Sequence, residues 1–301
     1  MLPIEQSIPK NTGTAPLFSI IVPTWNNLPY LQLLIKSLRK NATYPHQIIV
    51  AINEGKDGTL EWVKSQDDLD WAFFEQNVGI CYALNACRAL VRTDFLVYFN
   101  DDMYACPGWD QVFLTEINAI GHRKFFLSST MIEPMDTGNP CVIVQDFGRD
   151  IEHFEEEKLL STLPMLHKND WAGATWPPNI VPIELWDLVG GYSVEFSPGM
   201  YSDPDFSMKL WAAGVRYFKG MGASRVYHFG SKSTRKLGRS RGSDLFLRKW
   251  GLTAGTFSRF MLRKGSIWTG ALAEVELGFW VKLKNRLKFF ITKDVRYAEK
   301  H

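Results

Sequence analysis

No apolar run in this chain reaches the ~18 residues that a membrane-spanning helix needs. Residues 1–17 lack a basic start and a continuous apolar block, so no secretory leader is expected. Cysteine is scarce. Cys81, Cys87, Cys106 and Cys141 form no CxxC pair, which argues against a zinc site or a disulfide framework and fits a reducing compartment. Two phosphate-binding fingerprints, GxGxxG and GxxxxGKS/T, are also missing. These absences lead to an expected soluble or peripheral protein on the cytoplasmic side.

What is present is enough apolar material for a full core, 46% of 301 residues, in one large domain or a domain plus an extension. Charge is unevenly spread. Residues 232–301 carry 17 basic and five acidic side chains, whereas residues 1–231 carry 17 basic and 27 acidic ones. A basic segment on an acidic body suggests an anionic partner, a membrane surface in preference to nucleic acid.

Along the first hundred residues, apolar strands alternate with helical spacing. Phe18-Ser19-Ile20-Ile21-Val22-Pro23 reads as a strand, followed by a polar turn at Thr24-Trp25-Asn26-Asn27. Leu31, Leu34, Ile35 and Leu38 then share one helical face. Gln47–Ile52 and Trp71–Phe74 are further strands, with helices over Leu60–Lys64 and from Ala83 to Leu90. The fourth strand is Phe95-Leu96-Val97-Tyr98-Phe99, and it stops at Asn100-Asp101-Asp102. Short βα connections imply parallel strands with right-handed crossovers. All four strand ends, carrying Thr24–Asn26, Glu54, Asn77–Gly79 and Asp101-Asp102, then meet along one edge of the sheet, where α/β folds bind ligands. Helix amino termini there suit a phosphate group. Adjacent carboxylates repel unless a cation sits beside them. Oxygen ligands suit Mg²⁺ or Mn²⁺, and the plain alternative is an acidic surface turn.

The second half is less regular. Residues 125–130 and 141–147 read as strands around a turn with Pro134, Gly138 and Pro140, and Glu155-Glu156-Glu157 as a solvated loop. Trp171, Trp176 and Trp186 suit the core or a stacking platform for sugar rings and bases, with Trp176 the candidate platform. Tyr201-Ser202-Asp203-Pro204-Asp205 opens a helix that Gly214 ends. Asp203 there has a structural explanation as an N-cap before proline. Strands near Val215–Phe218 and Arg225–Tyr227 lead to His228.

Taken together, Ile21–Asn26, Asn53–Thr59, Asn77-Val78-Gly79 with Ala83 and Asn85, Asn100-Asp101-Asp102, Gly190-Gly191-Tyr192, Ser202–Phe206 and Val226-Tyr227-His228 form an ordered set. Over residues 18–230 the chain resembles an inverting family 2 glycosyltransferase of the GT-A type. The resemblance implies a Rossmann-like α/β fold with a mostly parallel sheet and helices on both faces. Its nucleotide-sugar half would span residues 18–103 and its acceptor half residues 104–231, followed by a basic helical extension over 232–301. It implies that Pro23, Thr24, Trp25 and Asn26 contact the nucleotide, that Glu54 bonds the base, and that Asn77, Gly79 and Asn85 line the donor site. Asp101 would face ribose or sugar, Asp102 and His228 would hold Mn²⁺ or Mg²⁺, and Asp203 would be the general base. Asn53, Asn100 and Ser202 stand where the family more often has acids. The implied partners are a UDP- or GDP-sugar and a glycan or glycolipid acceptor, with no nucleic acid. A nucleotidyltransferase would share the acidic strand end, and a glycan-binding module with a decayed site would explain the lost acids.

After His228 the segment Gly230–Arg239 is basic and rich in small residues. The resemblance implies a loop closing over the diphosphate with Lys232, Arg235 and Lys236; a plain linker is the alternative. Over 267–290, Trp268, Leu272, Val275, Phe279, Leu283, Leu287 and Phe290 make a helical stripe beside Lys282, Lys284, Arg286 and Lys288. Such a stripe packs on its own body, on a second copy in a homodimer, or on an anionic membrane surface.

Overall fold

The computed structural model describes residues 3–7, 15–230 and 241–292. Lys232, Arg235 and Lys236 lie outside these residues. The chain runs through β1 (Glu5–Gln6), β2 (Ser19–Trp25), α1 (Leu28–Asn41), β3 (Gln47–Asn53), α2 (Thr59–Lys64), β4 (Leu69–Phe74), α3 (Gly79–Cys87) and β5 (Phe95–Tyr98). Next come β6 (Met103–Ala105), α4 (Trp109–Ile120), β7 (Phe125–Glu133), β8 (Ile143–Val144), α5 (Glu156–Thr162) and β9 (Trp171–Ala172). They are followed by β10 (Asn179–Pro182), α6 (Ile183–Val189), α7 (Ser202–Ala212), β11 (Tyr217–His228), α8 (Gly242–Trp250), α9 (Ala254–Thr256) and α10 (Phe279–Ile291).

Among the described residues the strands make one sheet, ordered β1-β4-β3-β2-β5-β10-β7-β11-β6, with β8 on β7 and β9 on β11. Strands β4, β3, β2 and β5 are mutually parallel, as the βα alternation requires. The chain leaves β2 toward β3 and later returns to β2's other side as β5. A crevice therefore opens at the carboxyl ends of β2 and β5, the switch point of the sheet. The strands are apolar throughout because both faces are covered. Ile20 and Val22 pack with Leu31, Leu34, Ile35 and Leu38 of α1, whereas Ile21 packs with Ala83 and Leu84 of α3.

Several elements depart from the sequence expectation. Thr24 and Trp25 belong to β2, and the turn begins at Asn26 with φ 46°. Helix α4 was not anticipated. The 141–147 segment contributes only Ile143–Val144. The acidic run at 155–157 is not a loop: Glu156 and Glu157 start α5, where carboxylates face the positive helix end. Glu156 also accepts hydrogen bonds from Lys40 at 2.7 Å and Tyr104 at 2.8 Å. The two short strands expected before His228 are one, β11, with a register shift between Met221 and Arg225. The stripe over 267–290 is helical only from Phe279, because Trp268 and Leu272 pack on the body instead.

The region after β11 is fastened to α7. Phe246, Phe257, Leu262 and Leu272 are buried with Phe206, Leu210 and Trp211 of α7. The fully buried Asp205 accepts a 2.8 Å hydrogen bond from Trp250 Nε1 and pairs with Lys249 at 3.0 Å. A buried carboxylate needs such partners, so α7 and α8 hold each other in place.

Candidate active site

The crevice edge is built from backbone that strands alone do not favour. Asn26 and Glu54 both have positive φ, 46° and 64°, immediately beyond β2 and β3. Asn26 Nδ2 donates to Glu54 Oε2 at 2.9 Å, and Asn26 Oδ1 accepts from the Lys56 amide at 2.9 Å. Hydrogen bonds from Trp25 and Asn26 lower the Glu54 carboxyl below its ordinary value, so it is an anionic acceptor. Pro23 is buried within β2. Asn53 Nδ2 donates to the Thr24 carbonyl at 3.3 Å while its Oδ1 accepts from Val78 N at 3.1 Å. A carboxylate could not make both bonds, which explains asparagine in place of an acid. Asn77 Oδ1 accepts from Gly79 N at 2.9 Å. Gly79 has φ 77°, and a Cβ there would meet Pro198 Cα at 2.7 Å.

The two adjacent acids after β5 have different surroundings. Asp101 Oδ2 accepts a 2.7 Å hydrogen bond from Thr24 Oγ1 across the switch point. Burial and the Asp102 charge raise the Asp101 carboxyl, against the bonds from Thr24 and Asn27. Asp102 faces the other way, with Oδ1 3.6 Å from His228 Nε2. His228 arrives because β6 and β11 pair antiparallel, Met103 opposite His228. Its Nδ1 is 2.9 Å from Glu133 Oε1 at the end of β7. Burial lowers the imidazole's proton affinity, but the charges of Asp102 and Glu133 outweigh it and push His228 up to about 10. Asn100, where an acid is common in the resembling family, accepts from the Tyr98 hydroxyl at 2.7 Å.

His228 Nε2 is buried without a hydrogen-bond partner, 3.6 Å from Asp102. One imidazole nitrogen and one carboxylate could supply two ligands to a divalent ion once Nε2 gives up its proton, a mixed set that suits Mn²⁺ better than Mg²⁺, which takes oxygen ligands. Among the described residues no group of three or more His, Cys, Asp and Glu side chains could hold a metal by itself.

Asp203 sits in the first turn of α7, whose N-cap is Tyr201, not Asp203. The helix starts two residues early, so the carboxylate is not spent on capping. Asp203 Oδ1 instead accepts a 3.0 Å hydrogen bond from the Tyr192 hydroxyl. Burial pushes Asp203 up to about 7, with the Tyr192 bond acting to lower it. Tyr192 is held on three sides. Its ring stacks on Phe206 at 4.6 Å, and its backbone N–H and C=O are both bonded by the Asn85 amide at 2.8 and 2.7 Å. Asn85 therefore positions Tyr192. The buried Tyr98 phenol is raised by burial and by the charges of Asp203, Asp102 and Asp101 together. The charges of carboxylates from both halves of the chain thus act on one phenol. Ser202 donates to the Gly199 carbonyl at 2.6 Å, leaving Asp203 without an acidic neighbour there.

Trp171 and Trp186 are core residues. Trp176 is partly buried and lies under Lys264 Nζ at 4.1 Å, packed against the layer that holds α1 and α4. Sequence reasoning missed Glu133, and it quoted Tyr192 without a role. The strand Phe125–Glu133 ends on a buried acid, which is a usable signal; the partner of that acid is 95 residues away.

Residues 19–161 match glycosyl transferase family 2. Chondroitin synthase of Pasteurella multocida (strain Pm70) is 25% identical over 249 residues, 73% of this chain and 25% of that protein. The chain spans about a quarter of the length of the curated relatives it matches over most of its own. Among solved structures, S. aureus TarS 1-349 in complex with UDP-GlcNAc is similar with a TM-score of 0.56 at 16% identity, covering 91% of this chain and 71% of that one. GalNAc-T7 with UDP, GalNAc and Mn²⁺ is similar with a TM-score of 0.55 at 16% identity, covering 77% and 48%. These likenesses show a shared fold.

Proposed function

We propose that this chain, a family 2 glycosyltransferase of the GT-A fold, moves a sugar from a UDP-sugar to a hydroxyl of a glycan or glycolipid, with inversion and with Asp203 as base. The single observation that carries the reading is the Asp203 carboxyl, held by the Tyr192 hydroxyl at 3.0 Å and raised to about 7 by burial, whose charge acts together with those of Asp101 and Asp102 on the Tyr98 phenol. The uridine donor rests on the bound molecules of TarS and GalNAc-T7.

In this mechanism Glu54 accepts from a base N–H, and Thr24 keeps Asp101 turned toward the ribose and sugar. Asp102 and His228 would hold the cation, with Glu133 fixing the imidazole so that Nε2 faces Asp102. A bound divalent ion supplies positive charge that stabilises a leaving diphosphate. Asp203 takes the proton from the acceptor hydroxyl as its oxygen attacks the anomeric carbon. The bond to the diphosphate breaks on the opposite face, so configuration inverts in one displacement.

The test is product analysis with a panel of UDP-sugars and Mn²⁺. Release of UDP that requires an acceptor and disappears in Asp203→Asn supports transfer. Release of pyrophosphate from UTP and a sugar phosphate would place the site among nucleotidyltransferases.

A further inference from the structure

Helix α10 points its apolar stripe away from the protein. At about 100° per residue, Phe279, Trp280, Leu283, Leu287, Phe290 and Ile291 fall in one sector of about 120°. Phe279, Trp280, Phe290 and Ile291 are 70–79% exposed and Leu287 is 55% exposed. Lys282 and Arg286 border one edge of the stripe, and Lys284 and Lys288 the other. The helix contains no acid.

The inward face carries Val281, Asn285 and Phe289. Asn285 is the buried residue of the helix. Its Oδ1 accepts from Thr253 N at 2.9 Å and Thr256 Oγ1 at 3.1 Å, and its Nδ2 donates to the Val281 carbonyl at 2.9 Å. Phe289 lies under the Arg248 guanidinium at 5.6 Å. A helix that simply covers a core buries its apolar stripe. Here the anchor fixes the aromatic stripe outward.

We propose that α10 docks this protein on an anionic lipid surface, lying in the interface plane with the aromatic stripe at the acyl boundary and the four cations among headgroups. Charge selects this occupant. Residues 232–301 hold 17 basic and five acidic side chains. A second copy, paired by a twofold through the same stripe, would bring these cations against their like with no acid on either helix, and among the described residues only Lys282 of the four has an acidic partner, Glu276 at 3.2 Å. Among the described residues no helix is long and apolar enough to cross a membrane, so the contact is interfacial. A cavity of about 400 Å³ lined by Tyr201, Leu247, Thr253, Lys288, Ile291 and Thr292 joins α10 to the start of α7. This inference does not depend on the reaction proposed above.

The experiment is sedimentation of the full chain with vesicles of phosphatidylcholine alone or with about one-third phosphatidylglycerol. Expected is at least about tenfold tighter binding to the anionic vesicles, lost at high salt, since each basic residue near such a surface multiplies binding by about fivefold. Trp280→Glu with Phe290→Glu should cut binding by about tenfold or more while melting temperature and gel-filtration volume stay unchanged, because both side chains are solvent-exposed. Lys284→Gln with Lys288→Gln should remove the preference for anionic lipid. A vesicle-induced blue shift of tryptophan fluorescence should vanish in Trp280→Phe. Equal sedimentation of wild type and the double-glutamate variant overturns the proposal. So does a wild-type dimer that the same variant splits into monomers, which assigns the stripe to a second copy.

Discussion

The Tyr192 hydroxyl donates a 3.0 Å hydrogen bond to Asp203 Oδ1. This contact links the loop after α6 to the first turn of α7, and it tempers how tightly Asp203 holds its proton. Burial raises the carboxyl and the phenol opposes that rise. Removing the phenol's hydrogen therefore moves the carboxyl further up. Tyr192→Phe keeps the stack on Phe206, so the ring stays in place. The expected result is a shift of the acidic limb of the kcat/KM profile from about 7 to higher pH, by about one unit. An unmoved limb would separate Tyr192 from the titrating group.

Asp203→Asn should reduce transfer by about 10²–10⁴-fold, the usual contribution of a positioned base. UDP binding, measured by calorimetry, should change little, since the nucleotide contacts proposed for Thr24, Asn26 and Glu54 lie at the other strand ends. Weakened UDP binding with intact turnover would reverse the assignment.

The same substitution should stabilise the fold at alkaline pH. Asp203 holds its proton more tightly in the folded chain, at about 7, than at its ordinary value of 3.8. Its contribution to stability is thus full below 3.8 and is lost as pH rises through about 7. Asparagine escapes that loss. Urea unfolding should show the variant ahead by about 4 kcal/mol at pH 8, with the two curves converging near pH 4. A gap that is constant with pH would point to a packing effect.

Glu133→Gln should weaken Mn²⁺ binding by about 10–100-fold, read by Mn²⁺ electron resonance with the nucleotide present. The carboxylate 2.9 Å from His228 Nδ1 keeps that nitrogen protonated and turns Nε2 toward Asp102. Glu133→Asp, which keeps the charge on a shorter arm, should recover part of the loss. A role in packing alone would leave the metal signal where it was.

Gly79→Ala should cost about 1–3 kcal/mol of stability, because φ is 77° and the new Cβ would lie 2.7 Å from Pro198 Cα. Chemical denaturation measures it directly. No change would mean that the Pro198 backbone yields.

The first half of the fold was legible because its signals are local. Strand and helix periods can be read within ten residues, and short βα connections leave one handedness for the crossovers. That much sets Thr24, Glu54, Asn77 and Asp101-Asp102 along one edge. The antiparallel pairing of β6 with β11, and of β10 with β5 and β7, has no such local mark. It brings His228 to Asp102 and Glu133, partners 126 and 95 residues away along the sequence.

Residue identity by itself determined which groups could carry charge, accept a proton or face lipid. Tertiary structure decided which of them do. It turned Asn53, Asn100 and Ser202 from apparent losses into hydrogen-bonded supports. It freed Asp203 from capping by starting α7 at Ser202. In α10 the periodicity defined an aromatic stripe, and only the hydrogen bonds that receive Asn285 decided that this stripe meets solvent. The physical reason is the same throughout: a buried polar group must find its partner, and the partner is chosen by the fold.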